Sequence, residues 1–494
     1  MQRSSGVLMH ISSLPSSYGI GTLGSEAFAF VDFLKDSGQK LWQMLPTGPT
    51  SYGDSPYQSF STFAGNPYFI DLDLLQQEGL LRKADYVLLD WGSNPGKVDY
   101  GKLYRNRFSV LWKAFVQGRE ALAGDVRRFR EEQAEWIADY ALFMAVKGYF
   151  GDVAWTKWPD EEIRMRQPAA LEEYGQKLRE QVDFWIFMQY LFSRQWRAFH
   201  NYAQEKGVSL IGDLPIYVAL DSAEVWAHPE LFWLDDQRRP VRVAGCPPDY
   251  FSATGQLWGN PLYRWDFMAQ TGYSWWMRRI EAAVRQFDVL RIDHFRGFES
   301  YYSVLGDAQD ATVGEWLAGP GQDFFAAVRR EIGEVAIIAE DLGFLTPEVH
   351  RLRQESGYPG MKVLQFAFDS LDESDYLPHN HSKNCVVYVG THDNDTICGW
   401  FESAPQKLRD YATEYLRLDR EEGVHWGFLR AAMASVSDVA VNQMQDFLGL
   451  GSEARMNTPS TLGDNWQWRV EKQALSDGLA KRMARISRLY GRGR

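Results

Sequence analysis

The strongest constraint on the fold is an alternation of short apolar strands with amphipathic helices in the C-terminal half of the chain. The pattern predicts strands that end near Asp293, Glu340, Asp369 and Asp393, with helices between them. Strands that alternate with helices form parallel sheets, and eight such units close into a barrel. We therefore expect an α/β fold, a (β/α)8 TIM barrel, whose strand ends bring these acids to one mouth.

Two long stretches interrupt the barrel pattern, so we expect a single catalytic barrel domain over residues 1–494 with inserted segments. Residues 74–199 carry apolar residues at helical spacing and predict a mostly helical insertion. Residues 218–270 include a long irregular stretch that predicts an active-site loop insertion. Residues 48–60 mix turn formers with aromatic side chains, as loops that carry function do.

The composition excludes several classes of partner. The chain carries 52 Lys and Arg against 65 Asp and Glu, a formal net charge of −13, which argues against nucleic acid and acidic membranes. The three cysteines show no CxxC spacing and indicate a reducing compartment rather than disulfides or a zinc site. No segment has the pattern of a signal peptide or a membrane span, so we expect a cytoplasmic protein.

Two short motifs point to cofactors but lack the context that such sites need. Residues 19–24 fit GxGxxG, yet seven residues separate them from the preceding strand, and the next strand ends without the acid that binds a ribose. His379 and His381 form an HxH pair in a polar loop rather than at a strand end, where metal ligands would have fixed geometry. We therefore expect no cofactor and no metal.

The stretch VLRIDHFRGF (289–298) carries the clearest chemical signal. In a strand, Arg291 and Asp293 share one face with Val289, and the guanidinium favours the ionised carboxylate that a nucleophile needs. A strand-end Asp that caps a helix, with Arg291 in a structural ion pair, explains this stretch equally well when it is taken alone.

Several carboxylates at one barrel mouth, without a phosphate-binding loop, suit either a divalent metal or the cleavage of glycosidic bonds. Retaining glycosidic chemistry uses one carboxylate as nucleophile and a second as acid/base. Asp293 suits the first role. Glu340 follows an apolar strand and faces the charge of Asp293, and both effects raise a pKa as an acid catalyst requires. A third acid after His392 would stabilise the positively charged transition state.

Ten motifs extend nearly from end to end: HISSLP (10–15), GDSPYQS (53–59), GDLPI (212–216), PPDYF (247–251), WGNPLY (258–263), RIDHFRG (291–297), AEDLG (339–343), GTHDND (390–395), GSEARMN (451–457) and NWQWR (465–469). In these motifs the chain resembles the amylomaltases, the 4-α-glucanotransferases also called disproportionating enzymes, of the α-amylase clan. The motifs at 53–59 and 451–457 distinguish this family from ordinary amylases.

The resemblance implies roles for individual residues. Asp293 would be the nucleophile, Glu340 the acid/base and Asp393 the transition-state-stabilising acid, with Asp395 as the alternative for the third role. The residues implied to surround the bond that is cut are Arg291, His294, His392 and Asp213. Those implied to line the glucan groove are Tyr57, Asp249, Tyr250, Gln256, Trp258, Asp369 and Asn465. Tyr52 and Tyr104 match positions that bind a second glucan segment in some members.

One segment departs from the family pattern. Residues 302–306 read YSVLG where relatives commonly carry Trp and an Ile-Pro-Ala run, which puts an outer part of the groove in doubt.

The resemblance implies transfer of α-1,4-glucan segments from a donor malto-oligosaccharide to the 4-hydroxyl of another glucan or of glucose, with retention through a covalent glucosyl-enzyme. The expected partners are malto-oligosaccharides, amylose, glucans from starch or glycogen, and glucose as acceptor, and we expect a monomer. An α-glucan hydrolase with the same carboxylates is the nearest alternative, because residue types do not distinguish the two. A catalytically silent glucan-binding barrel would release no glucose from maltotriose, and a metal-dependent hydrolase would lose activity in chelator.

Overall fold

The computed structural model describes residues 2–248, 252–343, 345–369, 374–419 and 421–493. Its strands are β1 (Ser4–Leu8), β2 (Leu41–Gln43), β3 (Ser209–Pro215), β4 (Arg242–Cys246), β5 (Gln256–Pro261), β6 (Val289–Asp293), β7 (Ser300–Leu305), β8 (Gly314–Ala318), β9 (Ile337–Ala339), β10 (Gly360–Val363), β11 (Cys385–Tyr388) and β12 (Val439–Gln443).

Helices separate most of the strands and supply the outer layer of the protein. They are α1 (Ser25–Asp36), α2 (Leu72–Gln77), α3 (Tyr100–Gly118), α4 (Ala123–Glu132), α5 (Ile137–Tyr149), α6 (Glu161–Arg164), α7 (Pro168–Lys177), α8 (Arg179–Glu205), α9 (Ala223–Ala227), α10 (Trp265–Gln270), α11 (Ser274–Val284), α12 (Gly321–Glu331), α13 (Pro347–Ser356), α14 (Ile397–Ser403), α15 (Gln406–Leu416), α16 (Val424–Ala434), α17 (Met444–Leu448) and α18 (Asp477–Leu489).

Eight of the strands form one sheet in the order β10-β11-β12-β1-β2-β3-β6-β9, and every neighbouring pair is parallel. The two outer strands of this order also meet, because Ala339 N donates to Pro359 O at 2.9 Å. The sheet therefore closes on itself with helices outside, and the predicted (β/α)8 barrel is confirmed.

Side chains inside the barrel form a compact apolar cluster below the mouth. Its members from the strands include Leu8, Ile211, Ile338, Val386 and Val441. In β6, Val289 packs against this cluster, whereas Leu290 and Ile292 belong to the outer core between strands and helices. The predicted face of Arg291 and Asp293, shared with Val289, is thus the interior face.

The connection between β2 and β3 contains the helices α2 to α8. Within 74–199 the helices are interrupted although residues at helical spacing continue: α4 is separate from α5, and α7 is separate from α8. At the first break Trp136 leaves the helical register, and its ring stacks on Phe63 with centroids 6.1 Å apart. The packing of this ring against Phe63 outweighs the local preference for one continuous helix.

The stretch 221–266 is more regular than the sequence predicted. It contains α9, β4 and β5, and the two strands join β7 and β8 in a second, antiparallel sheet with the order β5-β4-β7-β8. Its face carries a small apolar cluster of Val243, Tyr302, Val304 and Ala311. Residues 302–305 of the segment that departs from the family pattern therefore belong to β7 of this sheet.

The strand predicted over 361–369 is also shorter in the structure. β10 ends at Val363, and Leu364–Phe368 forms a 3-10 helix. Leu364, Ala367 and Phe368 are buried in the outer core at i, i+3 and i+4, a helical spacing. Asp369 consequently follows a helical turn rather than a strand end.

Among the residues that the structure describes, no helix is both long enough and apolar enough to cross a membrane.

Candidate active site

Three neighbouring strands bring the first acids together. β3 pairs with β6 so that Asp213 lies opposite Arg291 and Pro215 opposite Asp293. β6 pairs with β9 on its other side, and Glu340 follows the last residue of β9. Since the three strands are parallel, their carboxyl ends meet at one edge of the barrel.

Arg291 joins two of these carboxylates. Its Nη1 donates to both oxygens of Asp213 at 2.7 Å and to Asp293 Oδ1 at 3.0 Å. The side chains of Arg291 and Asp213 are 4% and 0% exposed, whereas that of Asp293 is 30% exposed. Burial opposes the charge of Arg291, but Asp213 and Asp293 raise its pKa well above the usual value. Arg291 is therefore a permanent cation, and of the two acids Asp293 is the one accessible to a ligand.

Tyr57 completes the buried side of this network. Its hydroxyl donates to Asp213 Oδ2 at 2.7 Å. Burial and then the charge of Asp213 raise the pKa of Tyr57, with smaller contributions from Asp293 and Asp393. Burial raises the pKa of Asp213 itself, while Arg291 and the Tyr57 hydroxyl act in the opposite direction. Tyr57 thus stays a hydroxyl donor and lies within electrostatic reach of three acids.

Glu340 is held by backbone donors on the other side of Asp293. His294 N donates to Glu340 Oε2 at 2.6 Å, and Leu342 N donates to Oε1 at 3.2 Å. Removal from water and the charge of Asp293 raise the pKa of Glu340 from 4.5 to about 8, although Arg291 and the His294 N–H act against this shift. Glu340 is therefore protonated at neutral pH, as a general acid must be.

His294 turns its backbone donor toward Glu340 because it adopts a left-handed conformation, with φ 54° and ψ 50°. Removal from water lowers the pKa of its ring to about 4, against the opposing effect of Asp293, so the imidazole is neutral. Its ring meets Trp258 edge to face at 4.8 Å, and Trp258 Nε1 donates to Gln256 Oε1 at 3.1 Å. β5 therefore supplies an aromatic side chain that packs against His294, the residue after Asp293.

The end of β11 brings a third acid. His392 Nε2 lies 3.4 Å from Asp393 Oδ1, and Asn457 Nδ2 donates to the same oxygen at 2.6 Å. The His392 ring stacks on Tyr57, with centroids 5.1 Å apart and an interplanar angle of 14°. Because Tyr57 also contacts Asp213, this stack connects the acid after β11 to the network on β3 and β6.

The two candidates for the third acid differ in their surroundings. Asp395 Oδ2 accepts from Ser452 Oγ at 2.6 Å, and its Oδ1 accepts from Thr396 N at 2.7 Å, next to the start of α14. Both Asp395 oxygens are thus used to hold the loop. The Asp393 side chain is 47% exposed and keeps one oxygen without a hydrogen bond to the described residues. Asp393 is the acid that remains available to a ligand.

The remaining predicted residues are placed as follows. Asp249 and Tyr250 lie outside the described residues, and of Tyr52 only the backbone, in the 3-10 helix Tyr52–Asp54, is described. Tyr104 is 49% exposed on α3, with Tyr68 and Tyr100 as ring neighbours. Asp369 is exposed after its 3-10 helix. Asn465 accepts from Thr458 N at 2.9 Å and so shapes the loop that follows Asn457.

Sequence reasoning missed three residues of the site. Asn457 positions Asp393, and Trp466 packs within 6.0 Å of both the His392 and Tyr57 rings. His10 is buried, and burial together with His392 lowers its pKa to about 3. Asn457, Trp466 and His10 lie in the family motifs at 451–457, 465–469 and 10–15, respectively. Membership of these motifs was the only sequence evidence that could have identified them.

No group of three or more His, Cys, Asp and Glu residues within the described ranges has a geometry that could hold a metal ion. The HxH pair is used in packing: His381 contacts Ser435 Oγ and Tyr376 O, both at 2.8 Å, and His379 contacts the Tyr415 hydroxyl at 2.6 Å.

A barrel with a cluster of carboxylates at its mouth is an arrangement that suits the cleavage of glycosidic bonds. The sequence profile of the 4-alpha-glucanotransferases matches residues 9–475. The chain belongs to the 4-alpha-glucanotransferase family, as the motifs predicted.

Several relatives match over nearly the whole chain. The 4-alpha-glucanotransferase of Clostridium butyricum is 48% identical over 98% of this chain and 100% of its own length. That of Thermus thermophilus is 49% identical over 96% of both chains. Among solved structures, the amylomaltase from Streptococcus agalactiae in complex with acarbose is 44% identical, with a TM-score of 0.98 over 100% of both chains.

Proposed function

We propose that this 4-α-glucanotransferase disproportionates malto-oligosaccharides by a retaining double displacement, with Asp293 as nucleophile, Glu340 as acid/base and Asp393 as the stabilising acid. The observation that carries the proposal is the arrangement around Asp293. Arg291 bonds one of its oxygens, and the neighbouring Glu340 has a pKa of about 8. A carboxylate bonded to a guanidinium, beside a protonated acid, is the pair that the first step requires.

In the first step Asp293 attacks the anomeric carbon of a donor glucan, and Glu340 gives its proton to the leaving 4-oxygen. The C–O bond of the glycosidic link breaks, the reducing-end portion leaves as an alcohol, and the non-reducing portion remains as a β-linked ester on Asp293. Asp393 would stabilise the positive charge that develops on the sugar ring, and Arg291, which donates to Asp293 Oδ1 at 3.0 Å, would hold Asp293 in position for the attack.

In the second step Glu340 changes role. Esterification removes the negative charge of Asp293, which is, after burial, the largest cause of the raised pKa of Glu340. The pKa of Glu340 then falls, so the carboxylate can accept the proton of an incoming 4-hydroxyl. That oxygen attacks the anomeric carbon and forms a new α-1,4 bond, and Asp293 is released as a carboxylate.

The remaining predicted residues complete the proposed groove. Asp213, held by Arg291 and Tyr57, positions the network, while His294, His392, Gln256, Trp258, Asp369, Asn465 and the loop with Asp249 and Tyr250 would contact glucose units. Tyr52 and Tyr104 would hold a second glucan segment. The helical insertion 74–199 and the segment 218–270 would frame the two sides of this groove, in a monomer located in the cytoplasm.

The test is the product distribution from maltotriose alone with a chelator present. Glucose together with maltopentaose and longer products, at a constant number of reducing ends, is the expected result, because transfer makes one glycosidic bond for each bond that it breaks. Rising reducing ends with only shorter products would favour the hydrolase. Loss of activity in chelator would favour a metal-dependent reaction.

A further inference from the structure

A surface recess of about 340 Å³ lies beside the second sheet, and Trp233 is 43% exposed in it. The charged residues that line this recess are Glu230, Asp235, Asp236, Arg238 and Arg264. The site around Asp293 includes none of these residues. An exposed indole among charged groups is a combination typical of a ligand site rather than of a core.

The backbone that carries Trp233 is fixed on both sides. Trp233 N donates to Leu262 O at 2.9 Å, and Val241 N donates to Trp233 O at 2.9 Å. The indole is therefore presented from a backbone that is paired on both sides.

Arg264 supplies an unused donor in the same recess. Its guanidinium lies over the rings of Trp233 and Phe267, at 5.6 and 5.3 Å from their centroids. In the described part of the chain Arg264 Nε has no hydrogen-bond partner, but it is too buried for a ligand to reach. The terminal nitrogens of the guanidinium are therefore the groups that would donate to a ligand oxygen.

The charges in the recess select the class of ligand. Arg238 is occupied, since its guanidinium donates to Trp226 O at 3.0 Å and Met165 O at 2.9 Å. Asp235 is bonded to Arg239 at 2.9 Å, and Glu230 lies 3.4 Å from His228, so neither carboxylate is fully available. Asp236 and the Arg264 guanidinium remain, one charge of each sign, which favours neither an anion nor a cation. A flat ring, a guanidinium donor and a carboxylate acceptor together suit a neutral ligand with many hydroxyl groups, which both donate and accept.

β5 connects the proposed cleft with the recess. Near its start, Trp258 packs against His294 in the cleft. The strand ends at Pro261, and the carbonyl of the next residue, Leu262, accepts from Trp233 N in the recess. Four residues of extended chain separate Trp258 from Leu262, a distance of about 13 Å. A glucan of several units could therefore contact both places.

We propose that the recess at Trp233 and Arg264 binds outer glucose units of long α-glucans, with the indole stacked on a sugar ring and the Arg264 guanidinium donating to its hydroxyls. The inference rests on the proposed function, because it assigns long glucans as a substrate class that the protein holds at two places. A maltotriose bound across the bond that is cut has few units left to extend past Trp258, so it serves as the internal reference.

The experiment compares Trp233→Ala with the wild-type protein on maltotriose and on amylose. The expected result is a KM for amylose raised about tenfold, equivalent to about 1.4 kcal/mol, with kcat and the maltotriose rate unchanged. Trp233→Phe keeps an aromatic face and should retain most of the affinity for amylose. Tyr149→Ala is the matched control, because Tyr149 is 48% exposed at the end of α5 and should leave both substrates unaffected.

Wild-type kinetics of Trp233→Ala on both substrates would overturn the proposal. An equal loss on maltotriose and amylose would also overturn it, since Trp233 would then act on folding or on the cleft. Failure of the proposed function looks different: the wild-type protein itself would form no longer products from maltotriose.

Discussion

Replacing Glu340 with Gln should stabilise the folded protein, and the gain should grow with pH. Removal from water and the charge of Asp293 raise the pKa of Glu340 from 4.5 to about 8 in the folded state. A carboxyl group whose pKa is higher in the folded state lowers the free energy of unfolding at every pH at which the unfolded chain has lost the proton. This loss of stability is absent below the ordinary pKa of 4.5, grows between 4.5 and about 8, and is constant above about 8.

The size of the effect follows from the width of this window. One proton changes the free energy of unfolding by about 1.4 kcal/mol per pH unit, so the cost reaches about 5 kcal/mol above the folded pKa. A chain of this length has an unfolding entropy of about 1 kcal/mol/K near its melting temperature. The difference in Tm between Glu340→Gln and wild type should therefore grow by about 1.4 °C per pH unit, to about 5 °C in total.

Calorimetry or a dye-based melting assay over the range from about pH 5 to about pH 9 measures this difference. Gln offers one acceptor oxygen and loses one of the hydrogen bonds from His294 N and Leu342 N, a cost of about 1 kcal/mol that shifts the baseline at every pH alike. Glu355→Gln, on an exposed position of α13, is the matched control, and its Tm should follow wild type. A Tm difference for Glu340→Gln that does not change with pH would refute the raised pKa.

Three further perturbations test the network around Asp293. The value of kcat/KM should fall as pH rises through about 8, because Glu340 must hold the proton that the leaving glucan takes; a pH profile that stays flat to about pH 10 would contradict that role. Tyr57→Phe removes the 2.7 Å donor to Asp213 but keeps the ring that stacks on His392. In a maltotriose assay kcat/KM should therefore drop about tenfold, with little change in Tm. Wild-type rates would show that Asp213 needs no such donor. Asn457→Ala removes the 2.6 Å donor to Asp393 and should lower kcat about tenfold at a similar KM, whereas an effect on KM alone would place Asn457 in binding.

The barrel could be predicted from the sequence because each of its strands and helices is recognisable from its own short stretch of residues. Each barrel strand is a short apolar run, and the alternation in β6 put Arg291 and Asp293 on the interior face that the structure shows. The acids followed from the same signal, since parallel strands in a closed sheet end at one mouth. Their catalytic roles stay predictions until kinetics test them.

Features that depend on distant pairing could not be predicted in this way. β4 pairs with β7, about 60 residues later, so 221–266 looked irregular when it was considered alone. Asn457 reaches Asp393 only because the C-terminal segment returns to the end of β11. The donor from His294 N to Glu340 requires a positive φ at a residue that is not glycine, which only tertiary structure imposes.

The most direct test of the assignment of Asp293 is to trap the glycosyl-enzyme. Glu340→Gln supplies no acid or base, so an α-maltosyl fluoride, whose leaving group needs no proton, should load the nucleophile faster than an acceptor can unload it. Peptide mass spectrometry after denaturation should then find one maltosyl group, attached to Asp293. A label on Asp213 or Asp393, or fluoride release without any labelled peptide, would contradict the assignment.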